Sequence, residues 1–191
     1  MKQFLSILKR NLLVVLLISL LILTNPGIVQ SAASSSHSFP QNWQGTWSGT
    51  MSNRPVQGRS QSVPMTLRIQ PISNNPTRYS WQITYGTGAK KLVRNYELVV
   101  KDQGAGHFVI DEKDGTLIDA WWFGDRLYSQ FRVKNRLLNT QYERQSNRLH
   151  YELVTYQSVS SAQAENDQQK VPFESYQLQV VQSAELSPVK E

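Results

Sequence analysis

The sequence contains no cysteine. That absence excludes a disulfide framework, thiolate catalysis, thiolate metal ligands and a lipid-modified cysteine anchor. Histidine is almost as scarce, with His37, His107 and His150 as the whole complement. No two of them have the close spacing of zinc ligands. The stretch Gly58-Arg59-Ser60-Gln61-Ser62 lacks the second glycine of a nucleophile elbow. Asp111, Glu112 and Asp114 are close together but lack the alternating oxygen donors and distant glutamate of a calcium loop. Nothing in the sequence implies a catalytic set, a metal or a cofactor. Beyond residue 33 no segment keeps a helical apolar stripe.

The first 33 residues read as an export signal. Lys2, Lys9 and Arg10 give a basic start, and Leu12 to Leu23 is apolar apart from Ser19. Asn25-Pro26-Gly27 ends the run, and Ser31-Ala32-Ala33 supplies small residues for cleavage. The expectation is an extracytoplasmic protein, periplasmic or secreted, processed near Ala33. An uncleaved membrane anchor, lengthened by Phe4 to Leu8, is the alternative. Losing three basic residues with that segment lowers the net charge from +6 to +3. The remaining cations are scattered, so the basic balance does not indicate a nucleic-acid partner.

After a small polar leader over residues 34–41, apolar and polar residues alternate with period two in segment after segment. Val63, Met65, Leu67 and Ile69 share one face of a strand, and Tyr79, Trp81, Ile83 and Tyr85 share that of the next. Leu92, Arg94, Tyr96, Leu98 and Val100 share a third, and Leu127, Ser129, Phe131 and Val133 a later one. Tight turns separate the strands, the clearest being Lys113-Asp114-Gly115, because Asp-Gly strongly favours a hairpin. Residues 158–170 read as a polar loop, a lid candidate, and residues 183–191 as a loose tail. The expected fold is all-β: a single antiparallel up-and-down meander of about ten strands over residues 42–182. Closure into a barrel removes both exposed edges, whereas a two-sheet sandwich needs longer crossovers.

The opening strand, Asn42-Trp43-Gln44-Gly45-Thr46-Trp47-Ser48-Gly49, alternates bulky indoles with glycines. Glycine in a strand marks a bend or a close backbone approach. Gly45-Thr46-Trp47 resembles the Gly-X-Trp of the first strand in the lipocalin and wider calycin group. That resemblance implies a barrel holding a small apolar or amphipathic ligand. The chain departs from the lipocalin pattern in having no arginine in its last strand to cover the indole, no cysteine pair and no helix after the barrel.

The central strands mix aromatic and polar residues, as a small-molecule pocket does. Trp81, Tyr85, Arg94, Tyr96, Asp119, Trp121 and Phe131 are the candidate ligand-binding residues. Trp121 and Trp122 are adjacent in a strand, so one indole must face outward. His107 or His150 is the only axial candidate for a haem, and His150 is expected to pair with Glu152 on the barrel surface. Three functions follow in order: an exported non-enzymatic ligand-binding barrel, a solid-cored interaction protein of the cell envelope, and an enzyme using Asp119 with Tyr96 or Arg94.

Overall fold

The computed structural model describes residues 39–166 and 169–190, without the side chains of residues 159–173. The signal segment and the first part of the leader lie outside the described residues. Ten strands follow one another: β1 Gly45–Pro55, β2 Gln61–Ile72, β3 Asn75–Tyr85, β4 Leu92–Asp102, β5 His107–Asp111, β6 Leu117–Phe123, β7 Arg126–Val133, β8 Arg136–Gln145, β9 Arg148–Asn166 and β10 Gln169–Pro188. Each pairs antiparallel with its sequence neighbours, and β10 closes on β1 to complete a barrel. The sandwich alternative is thereby excluded.

The hairpins form where the sequence marks them. At the β5–β6 turn the Asp111 carboxylate accepts the Lys113 N–H at 2.9 Å, and Asp114 accepts that of Thr116 at 2.9 Å. These local bonds offer the backbone a turn in place of ladder pairing. Gly49 answers the glycine question. A Cβ there would lie 2.2 Å from the backbone oxygen of Glu185, so only glycine lets β1 and β10 meet.

The domain is longer at both ends than the sequence reading gives. Phe39, at 2 % exposure, and Pro40 are buried, although the sequence reading puts both in the leader. Gln41–Trp43 forms a 3-10 turn, so Trp43 precedes β1 instead of sharing its inner face. β9 and β10 run on through most of residues 158–170, where a loop is expected. The expected tail is also strand, with Ser183–Pro188 pairing with Trp47–Ser52. The physical reason is closure: β1 needs a second partner along its length, and only the end of β10 can supply it.

One end of the barrel is sealed by rings. Phe39 stacks on Trp122 with centroids 4.4 Å apart and meets Trp43 and Phe108 edge-on at 5.0 and 4.9 Å. The Gln103 side chain donates to the Phe39 carbonyl at 2.7 Å, and the buried Trp47 indole donates to the Trp43 carbonyl at 2.9 Å. The residues just before β1 therefore plug the base, each large ring worth ~1.5–3 kcal/mol of burial.

Candidate functional site

Above that plug the barrel is hollow. A cavity of about 530 Å³ runs from a floor of Trp81 and Tyr142 toward the opposite end. Trp81 meets the Tyr142 ring edge-on at 5.1 Å, and Tyr142 packs against Tyr151 at 5.1 Å. Met51, Ile83, Leu92, Ile110, Ile118, Phe131, Leu138 and Leu153 supply apolar wall. Tyr85, Arg94, Tyr96, Glu112, Ser129, Thr140, Tyr151 and Gln182 supply the polar points. The inward alternation on each strand puts them there, because every second residue of a barrel strand faces the interior.

Five of the seven sequence candidates, Trp81, Tyr85, Arg94, Tyr96 and Phe131, come together on this wall. Asp119 and Trp121 do not, and their placement corrects the sequence reading. On β6 the inward residues are Ile118, Ala120 and Trp122, so Asp119 and Trp121 project outside. There Asp119 bonds His107 Nε2 at 2.7 Å, and the Trp121 indole stacks on the His107 ring at 4.4 Å. The sheet itself thus separates Asp119 from Tyr96 and Arg94, which removes the geometry of the enzyme alternative. His150 also faces outward, and its partner is Glu185 on β10 at 2.6 Å, not Glu152. Neither His107 nor His150 is in the cavity wall, so neither is placed to ligate a haem held there. Among the described residues there is no cluster of three or more metal-ligating side chains.

Sequence reasoning missed Glu112, Tyr142, Tyr151 and Gln182. The alternation Leu138, Thr140, Tyr142 on β8 and Tyr151, Leu153 on β9 carried the signal for two of them. Gln182 was hidden because the sequence gives no local mark of where β10 closes the barrel.

The phenols stay protonated. Burial first, and the nearby Glu112 charge second, push Tyr96 up to about 12. Burial likewise raises Tyr85, Tyr142 and Tyr151. They therefore act as neutral hydrogen-bonding groups, and the Tyr151 hydroxyl donates to Gln182 Oε1 at 3.4 Å. Glu112 shares the cavity wall with Tyr96.

A second space of about 600 Å³ meets the first at Gln182, between the upper parts of β8, β9, β10 and β1. Asn53, Arg136, Thr155, Gln157, Gln177 and Gln182 line it. The interior thus changes from ring-lined at the floor to amide-lined near the mouth. An arrangement of this kind can enclose an apolar body and orient a polar end.

Compared with protein-family profiles and with curated proteins, the sequence matches none. Among solved structures it is similar to an S-type phycobiliprotein lyase from Guillardia theta, with TM-score 0.53, 7% identity, 78% of this chain and 89% of that one. It is also similar to a DUF3598-family protein of unknown function from Nostoc punctiforme, with TM-score 0.52 and 12% identity. That match covers 76% of this chain, which spans about half, 47%, of the Nostoc protein. At these identities the likeness is one of fold.

Proposed function

We propose that this protein is an exported, non-enzymatic barrel of calycin type that holds one small apolar or amphipathic ligand. The observation that carries the reading is the cavity of about 530 Å³, floored by Trp81 and Tyr142 and reaching Leu92, Arg94 and Glu112 away from the Phe39–Trp43 plug. A solid-cored barrel would fill that space with side chains. Trp81, Tyr85, Arg94, Tyr96 and Phe131 are the proposed contacts, joined by Tyr142, Tyr151 and Gln182. One structural neighbour is a phycobiliprotein lyase, so a pigment-like molecule belongs in the first set of ligands tried.

The test is the mass of the protein purified from its own host, native against denatured. A reproducible extra mass that disappears on denaturation is expected. A bare chain in both states, with no uptake from a lipid and pigment extract, would overturn the reading. The same spectrum locates the N-terminus: processing near Ala33 supports export, and an intact Met1 replaces it with a tethered barrel.

The interaction reading retains one specific observation. Trp121 and Phe123, at 50% and 80% exposure, stand on the outer face of β6. Loss of a co-purifying envelope protein on Trp121→Ala, with ligand uptake unchanged, would favour it.

A further inference from the structure

We infer that the ligand of this cavity is an amphipathic acid, an apolar body with one oxyanionic head, and that Arg94 binds the head. The inference rests on the ligand-holding reading above and adds the charge of the ligand.

Arg94 takes an inward position on β4, opposite Ile83 of β3 and between inward Leu92 and Tyr96. β5 ends at Asp111, which pairs with Glu97, so Arg94 stands beyond the end of that neighbour, at the rim. Three arginines of the outer surface have carboxylate partners: Arg78 has Glu97 and Asp111 at 2.5 and 3.1 Å, Arg126 has Glu143 at 3.0 Å, and Arg132 has Glu174 at 3.5 Å. Among the described residues Arg94 has no ion pair and no hydrogen bond. Glu112, the carboxylate of the same wall, forms no ion pair with Arg94 among the described residues. Arg94 therefore keeps its planar fork of donors free where the apolar wall ends. That fork matches the two oxygens of a carboxylate, sulfonate or phosphate.

The surroundings point the same way. Among the described residues, the amide-lined space above contains Arg136 and no carboxylate. The turns at this end carry Arg59, Lys90, Lys91 and Lys134 against Asp114, while Lys113 is taken by Glu97 at 2.9 Å. A cationic mouth over low-dielectric walls concentrates anions. A plain hydrocarbon seated against the rim would cover the Arg94 guanidinium and leave its donors unbonded, which is costly. An amphipathic acid satisfies both halves of the interior.

Two fluorescent dyes that differ by one charge test this: anilinonaphthalene sulfonate and its uncharged parent, phenylnaphthylamine. Titrations use the wild-type chain, Arg94→Gln and Arg68→Gln, an exposed outward cation of β2 opposite Thr46, at the plugged end of the barrel. The wild type should bind one of either dye, the sulfonate about tenfold more tightly, as expected for a charge-assisted bond. Arg94→Gln should abolish that preference by weakening the sulfonate alone, and Arg68→Gln should leave both dyes unchanged. Unchanged binding of the neutral dye also shows that the variant is folded. Equal affinities in the wild type, or an Arg94→Gln that weakens both dyes alike or neither, would overturn the inference while the cavity reading stands. If neither dye binds at one per chain, the cavity reading fails and takes the inference with it.

Discussion

The Arg144 guanidinium lies 5.3 Å from the centroid of the Trp47 ring, reaching it from β8 and not from the last strand. The sequence comparison with lipocalins turned on a missing arginine in that last strand, and the structure supplies the cover from elsewhere. Arg144 also donates through Nε to the Ser146 carbonyl at 3.1 Å, so the β8–β9 turn and the barrel base are tied together. Arg144→Ala should lower stability by about 1–2 kcal/mol through the lost cation–π contact and turn bond. Arg144→Lys should recover only part, since lysine keeps the charge without the planar fork. Urea midpoints followed by tryptophan fluorescence check both.

Gly49→Ala is the sharpest test of closure. The added methyl would meet a backbone oxygen of β10, which no side-chain rotation can relieve. We expect a loss of about 3 kcal/mol, at the upper end of overpacking costs, with faster amide exchange in β1 and β10. Gly115→Ala meets no atom within 4 Å, but its backbone has φ 98°, so any loss there reports turn strain alone. Equal losses with no change in β1–β10 exchange would mean that the seam does not require glycine.

The tyrosines of the cavity set an alkaline limit. Tyr85, Tyr96, Tyr142 and Tyr151 are all raised, half of the 8 tyrosines in the chain. In the unfolded chain they ionise near ~10. A folded value above the unfolded one means that their contribution is complete below about pH 10 and is lost as pH rises toward and beyond 12. A spectrophotometric titration should show a late step from these four phenols, coinciding with unfolding. Tyr96→Phe should remove the part of the late step near 12. One simultaneous step for all tyrosines at pH 10 would contradict the buried placement.

Much of the barrel was legible because period-two alternation and turn chemistry are local. Met65, Leu67 and Ile69, or Tyr79, Trp81 and Ile83, declare both a strand and its inner face. β6 misled for a physical reason. Its outer face carries Leu117, Trp121 and Phe123 around Asp119, as rich in large apolar side chains as the inner Ile118, Ala120 and Trp122. Alternation identifies two faces and does not say which is inside. Phe39 escaped notice because a single ring in a polar stretch acquires meaning only when Trp122 and Phe108 are brought beneath it from residues far along the chain. Glu185 belongs with Gly49 and His150 for the same reason, since both relationships are created by closure.

Closure also dictates an order of events. The seam joins the first strand to the last, with Trp47 opposite Pro188, so nearly the whole described chain must exist before it can form. Until then β1 has one free edge and the Phe39 plug has no finished barrel to seal. The loop closed at that step is the longest the fold contains, and forming it is entropically the most demanding pairing in the molecule. A chain still being synthesised can build hairpins one after another, but it remains an open, bendable ribbon. The native molecule is reached in a single late act, when its two ends find each other.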